Sequence, residues 1–438
     1  MLDFQKELAL VDKWSPYQIS GRVTHIVGLL IESIGPNVSV GEICHIYNKY
    51  GDMVPSEVVG FKDNKVLLMP LGEMTHIAPG SEVYPTNKVH KVAVSRSMCG
   101  RIIDALGNPL DGKGPILAED HYETTTQAPD ALDRTKIDQI LATGIKSIDS
   151  TCTLGKGQRI GIFSGSGVGK SMLLGMIAKM STADINVIAL VGERGREVRE
   201  FIDKNLGKEG LARSVVVVVT SDQAALLRSK GANVATAIAE FFRDQGKDVV
   251  LMMDSVTRYA MALREIGLAV GEPPTTKGYT PSVFSLLPKL LERAGTSSKG
   301  SITGIYTILV EADDMNDPVA DTVRSIIDGH IVLSRKLASA NLFPAVDVLN
   351  SLSRVMRDVC SKEQVQHAGD LRNLMQVYQE AEDLINIGAY VSGSNPKIDK
   401  SIALKDAIAS FLKQSPEDFT DFEHTQSMLN EILKYEKV

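Results

Sequence analysis

Between residues 18 and 92 the apolar positions come in short runs of strand length: Ile26–Ile31, Ile43–Tyr47, Glu57–Phe61 and Val66–Met69. Gly28, Gly35-Pro36, Gly41 and Gly51-Asp52 punctuate them, and Lys62-Asp63-Asn64-Lys65 has the composition of a hairpin turn. Short β-rich runs at this spacing predict a small β-barrel or sandwich. From 93 to 365 the pattern alternates. Arg159–Phe163, Ile185–Val191, Ser214–Thr220, Val249–Asp254 and Ile302–Val310 read as strands, and Ser171–Met180 and Val234–Phe242 as helices between them. A continuous run such as Val215–Val219 suits a strand buried on both faces, so this part predicts a mostly parallel α/β sheet. From 366 to 438 apolar residues recur at three- and four-residue spacing. The series are Leu371, Leu374, Tyr378, Ala381, Ile385, then Leu404, Ile408, Phe411, Leu412, then Met428, Leu429, Ile432, Leu433. These predict helices, with Gly393-Ser394-Asn395-Pro396 as a break.

Length agrees with that division, since 438 residues correspond to about three domains. Residues 1–17 precede the barrel pattern and read as an arm with Trp14 as its one large apolar anchor. Charge removes one class of function. The net charge is −7, and residues 1–90 hold seven Lys/Arg against ten Asp/Glu, so the barrel lacks the basic footprint of a nucleic-acid binder. Cys44, Cys99, Cys152 and Cys360 lie too far apart for a CxxC pair and read as reduced thiols of a cytosolic protein. Asp3, Lys6 and Glu7 break the first ten residues, which predicts no signal peptide, and no apolar run spans a bilayer.

The clearest chemistry lies in Ser164-Gly165-Ser166-Gly167-Val168-Gly169-Lys170-Ser171, between a predicted strand and a predicted helix. Glycines let the backbone N–H groups turn toward phosphate oxygens, and the helix N-terminus adds partial positive charge. Lys170 reaches the β- and γ-phosphates in such a P-loop, and the Ser171 hydroxyl is a Mg²⁺ ligand. Ser164 stands where the general pattern has its first glycine. The apolar strand Val249–Met253 ends in Asp254, a carboxylate placed to hold the Mg²⁺ shell. Gly192-Glu193-Arg194-Gly195-Arg196-Glu197 follows another strand. A carboxylate here could orient an attacking water, but composition alone favours a solvated charged turn. Phe343 and Arg354, taken alone, read as a core aromatic and a surface cation.

In order along the chain, these stretches resemble the flagellar and virulence type III export ATPases, relatives of the F1/V1 rotary ATPase catalytic subunits. The resemblance also rests on Cys99–Gly107, Asp254-Ser255-Val256-Thr257-Arg258-Tyr259-Ala260, Gly278–Phe284, Asp313-Asp314-Met315-Asn316-Asp317-Pro318 and Asp328–Arg335. It implies an N-terminal β-barrel (18–92), a RecA-like nucleotide-binding core (93–365) and a helical C-terminal domain (366–438). It implies that Glu193 is the catalytic glutamate, with Arg194 and Arg258 lining the site, and that Phe343 lies against adenine. Arg354 matches an arginine finger given to the neighbouring subunit. The loop Gly271-Glu272-Pro273-Pro274 faces a central pore in this picture.

The implied protein is a Mg²⁺-dependent ATPase in a homohexameric ring, cytoplasmic and peripheral at the inner membrane through its partners. Those partners are export-apparatus stator, stalk and gate proteins and export chaperone–substrate complexes. The segment Gly388–Asp399 lacks the acidic run of rotary β subunits, and the acidic N-terminal region disfavours a hexameric RNA helicase. Glu193 disfavours a non-catalytic subunit, because such relatives carry Gln there. Val27–Ser33 and Val58–Phe61 look flagellar, with a virulence system as the alternative.

Overall fold

A computed structural model of the chain describes residues 19–310 and 317–434. The expected arm with Trp14, and Asp313–Asn316 of the resemblance, lie outside the described residues. Two compact units result: residues up to 91 with segments 224–227 and 265–273, and the remainder.

The first unit holds a closed barrel of six antiparallel strands: β1 (Gly21–Val27), β2 (Leu30–Ile34), β3 (Glu42–Tyr47), β4 (Met53–Lys62), β5 (Lys65–Pro70) and β6 (Glu82–Val89), in the order β1-β2-β5-β4-β3-β6. Alternation sends Val23, Ile31, Cys44, Ile46, Val58, Leu68 and Val83 inward, all fully or nearly fully buried. Each of the Val, Ile and Leu side chains among them contributes about 1.5–3 kcal/mol. Asp63 and Asn64 both take positive φ between the paired Lys62 and Lys65, the requirement of a two-residue type I′ hairpin. The run Ile26–Ile31 is two strands, not one. Val27 pairs with Leu30 around a turn in which Gly28 has φ +57°. The closing strand β6 carries Pro85, Thr86, Asn87 and Lys88, too polar a stretch to register as a strand by pattern.

The second unit is built on a nine-stranded sheet. Its main path runs β14-β13-β8-β12-β11-β9-β10-β7, where β7 is Ile102–Ile103, β8 Arg159–Ser164, β9 Ile185–Glu193, β10 Ser214–Thr220, β11 Asp248–Asp254, β12 Ser301–Leu309, β13 Gly329–Leu333 and β14 Val346–Ser353. All neighbours on the path are parallel except the edge pair β13–β14. The ninth strand, Gly295–Thr296, pairs with β12.

The two faces of this sheet bury different residues. Val187, Ala189, Val215, Val217, Leu251 and Met253 pack on one side, and Ile188, Leu190, Val216, Val218, Val250 and Met252 on the other. That is why the strands read as unbroken apolar runs. Helices cover both faces: α1 (Lys146–Thr151), α2 (Lys170–Met180), α3 (Gly195–Glu200), α4 (Gly207–Ala212), α5 (Ala225–Asp244), α6 (Val256–Val270), α7 (Pro281–Leu291) and α8 (Pro318–Ile326).

Three further helices follow: α9 (Lys362–Asn386), α10 (Pro396–Leu412) and α11 (Phe422–Leu433). They bury Leu371, Leu404, Ile408, Phe411 and Leu429 together. Helix α9 starts ahead of the expected residue 366, because Ser361 and Gln364 form a reciprocal capping box. No helix among the described residues is long and apolar enough to cross a membrane. All four cysteines are free thiols.

Candidate functional site

The carboxyl ends of β8, β9, β11 and β12 converge, the usual place for a ligand in an open parallel sheet. Between β8 and α2, Gly167 and Gly169 take φ of +79° and +92°, and Gly169 is the N-cap of α2. Backbone N–H groups and the helix terminus therefore meet at one place. Gly165, Ser166, Gly167, Gly169, Lys170 and Ser171 line a cleft of about 1150 Å³, together with Glu193, Arg194, Asp254 and Arg258. Val168 is different. Its side chain is buried in the core beneath the loop, so only its backbone can serve a ligand.

Lys170 sits between two carboxylates. Its Nζ is 2.5 Å from Asp254 Oδ1 and 3.6 Å from Glu193 Oε1. Thr307, from the neighbouring β12, donates to Asp254 Oδ1 at 2.8 Å. Burial works against the Lys170 charge, but Asp254 and then Glu193 outweigh it and hold the ammonium above its ordinary value. The Glu193 carboxyl is pushed up to about 7, first by burial and then by the charge of Asp254, with Lys170 pulling the other way.

A bulge aims Glu193. On β9, Val191 pairs with Val219 and Glu193 with Thr220, so Gly192 is the extra residue. Gly192 has φ +73°, and a Cβ there would meet the Arg258 side chain at 2.9 Å. The close approach packs Arg258 beside Glu193, and bulges often re-aim a side chain in this way.

Not every expected residue converges. Arg194 caps α3 at the rim, 78% exposed, with Nη1 3.6 Å from Glu197. Phe343 does not line the cleft, but its ring lies on the P-loop: a Cβ at Gly169 would be 3.2 Å from the ring. Arg354 is exposed just past β14, its backbone N–H bound to Asp328 O at 2.9 Å, and it lines no part of its own chain's cleft.

Several further residues of the site had no role assigned from the sequence. Thr307, fully buried behind Asp254 and not in the cleft wall, could have been found as a hydroxyl inside an apolar strand. Arg264, Lys277, Tyr279 and Arg335 also line the cleft. So do Phe201 and Asn205, from a π-helical turn (Phe201–Leu206) between α3 and α4. That turn packs its Asn205 backbone against α2 at Gly175, where a Cβ would come within 2.6 Å of it.

Two buried polar atoms here have no hydrogen-bond partner among the described residues: Glu193 Oε1 and Arg258 Nε. An acceptor ion-paired with Lys170 but without a hydrogen bond, and a cationic donor without one, beside a glycine nest, fit a polyphosphate and an attacking water. The Ser171 hydroxyl and the Asp254 carboxylate supply the oxygen donors that Mg²⁺ takes.

Comparison with known proteins identifies the family and the fold. The model of the ATP synthase alpha/beta family nucleotide-binding domain matches residues 144–353, and that of the family's beta-barrel domain matches 23–87. The T3SS EscN ATPase C-terminal domain matches 360–431. A "Flagellum-specific ATP synthase" of Bacillus subtilis (strain 168) is 55% identical over 94% of this chain and 95% of its own length. The assembled ATPase EscN of the enteropathogenic E. coli type III secretion system superposes with TM-score 0.90 at 45% identity, over 94% of this chain and all of that one. EscN in complex with its central stalk EscO gives TM-score 0.88 at 44% identity, over 94% and 100%.

Proposed function

The chain belongs to the ATP synthase alpha/beta family, and from that membership we propose that it is the ATPase of a flagellar protein export apparatus. It hydrolyses ATP, as its export-ATPase relatives do. One observation carries the reading: Lys170, Asp254 and Glu193 meet within 3.6 Å at the mouth of the glycine loop. The greater identity to a flagellum-specific relative favours the flagellar system over the virulence one.

Loop N–H groups from Gly165 to Ser171 hold the phosphates, and Lys170 leaves its carboxylate partners to bind the transferred one. Glu193 Oε1, without a hydrogen bond of its own, accepts the proton of the attacking water. Arg258 and Arg194 lie along the reacting charge. Phe343 flanks the base. Ser171 and Asp254 would hold Mg²⁺, which when bound would supply neutralising charge to the phosphate oxygens. Arg354 acts on the cleft of a neighbouring subunit, since its own cleft does not contain it.

The same reading takes the assembly to be a homohexameric ring with a central stalk, and the assembled and stalk-bound states of EscN support an oligomer and a stalk partner. Stator, gate and chaperone–substrate contacts, and a peripheral place at the cytoplasmic face of the inner membrane, belong to the same reading. Substituting Glu193→Gln tests it. Hydrolysis falls by about 10²–10⁴ while nucleotide binding by equilibrium titration persists. Near wild-type turnover in that variant removes Glu193 from the chemistry.

A further inference from the structure

We infer that Gln414, in the turn between α10 and α11, is a positioning residue for the nucleotide base: it fixes Phe343 against the P-loop and ties that contact to the C-terminal helices. The inference rests on the nucleotide-site reading above.

Gln414 is buried, 2% exposed, in a turn whose other polar residues face solvent or its edge. Its side chain uses both ends. Nε2 donates to Gly144 O at 2.7 Å and to Asp418 O at 2.6 Å, and Oε1 accepts from Lys146 N at 2.9 Å. Lys146 opens α1, whose N-cap, Ile145, offers no side-chain acceptor. Gln414 thus caps that helix from far along the chain. Its own backbone N–H donates to Phe343 O at 2.9 Å. One residue therefore joins the helical turn, the segment leading into α1, and the aromatic that lies on Gly169.

The attachment is reinforced around it. Gly144 N is held by the buried Asp149 carboxylate at 2.9 Å. Lys146 Nζ stands 5.8 Å over the Phe411 ring of α10. Replacing the Gln414 amide leaves Gly144 O and Lys146 N without these bonds in a dry place, so the turn and the Phe343 carbonyl lose their fixed relation. The phosphate loop is built from other bonds and keeps its shape. The expected defect is confined to the base, a split that a general loss of packing does not produce.

The test uses the full-length chain with Gln414→Met, which keeps the volume and removes the polar ends. ATP turnover and inhibition by inorganic tripolyphosphate, which has no base, are measured together. The KM for ATP should rise about ten-fold, with kcat within about two-fold and tripolyphosphate inhibition unchanged. A fall in kcat at unchanged KM, equal weakening of ATP and tripolyphosphate, or no change in either overturns the proposal. If the Met variant does not fold, Gln414→Glu keeps the acceptor for Lys146 and loses the two donations, and the same readouts apply. Wild-type and Phe343→Ala controls separate the failures. Absent wild-type hydrolysis defeats the nucleotide-site reading. A normal ATP KM in Phe343→Ala removes the aromatic from the base. A raised KM there beside normal Gln414 variants defeats this inference alone.

Discussion

Two groups of charges are buried in the second unit, and they are finished to different degrees. Arg293, just beyond α7, and Glu240 of α5 are each under 5% exposed. They form two parallel bonds at 2.8 and 2.6 Å, with Arg293 Nη1 also donating to Thr124 O and Thr126 bonding Glu240. Lys170, Asp254 and Glu193 are also a cation among carboxylates, but one cation serves both, and Glu193 Oε1 and Arg258 Nε have no hydrogen bond. The first arrangement closes on itself within one chain. The second keeps acceptor and donor capacity for the nucleotide and water proposed above. In a low-dielectric interior, incomplete pairing costs stability, so a protein that keeps it next to a phosphate nest keeps it for chemistry.

The sharpest way to break this contrast concerns what the open cluster lacks. Arg354→Ala should lower ATP turnover by about 10³–10⁵ with an unchanged thermal unfolding midpoint. Mixing that inactive variant with Glu193→Gln should restore part of the activity, because some interfaces then hold one intact Glu193 and one intact Arg354. Lack of recovery in verified mixed rings would place the two residues in the same chain's site and undo the argument for assembly.

The closed pair predicts the reverse. Arg293→Ala leaves Glu240 buried and uncompensated, and should cost about 3–5 kcal/mol in denaturant unfolding. The joint Arg293→Met, Glu240→Leu exchange should recover most of that, since apolar groups of similar volume often replace a buried pair at little loss. If Arg293→Ala is nearly neutral, completeness of pairing does not separate structural from functional charge in this protein.

Legibility in the sequence followed the same line. The loop Ser164–Ser171 and Asp254 were readable because each is local: a few consecutive residues carry the geometry. The sheet was readable because both its faces are apolar. Glu193 was ambiguous, since the bulge at Gly192 depends on pairing with Val219 and Thr220, which the residues around Glu193 do not encode alone. Strand β6 was missed because its pairing with β1 and β3, not its own apolarity, makes it a strand. The Arg293–Glu240 pair and the Gln414–Lys146 bond join residues on separate elements, so spacing could not show either. The placement of Phe343 and Arg354 came from family resemblance, and the fold shows why residues alone were silent: Phe343 reaches the site only by packing on Gly169, and Arg354 lines no part of its own chain's cleft.

The smallest effect tests the charge balance inside the open cluster. Glu193 is pushed up to about 7 by burial, then by Asp254, and to a lesser extent by Glu197 through its charge and a hydrogen bond. A general base must be deprotonated to act. As pH falls through that value, a growing share of free enzyme carries the proton, so kcat/KM for ATP should drop about ten-fold per pH unit below about 7 and level off above it. Because Asp254 and Glu193 share one cation, the midpoint belongs to the cluster as a unit. Stability runs the other way. A carboxyl whose folded pKa exceeds its unfolded one favours the fold most at low pH, and that contribution is lost as pH rises toward 7. Glu197→Ala removes one like charge and one hydrogen-bond partner from Glu193, so the limb of the kcat/KM profile should move to lower pH. A midpoint that stays in place, or moves up, would show that Glu193 is not the group being titrated.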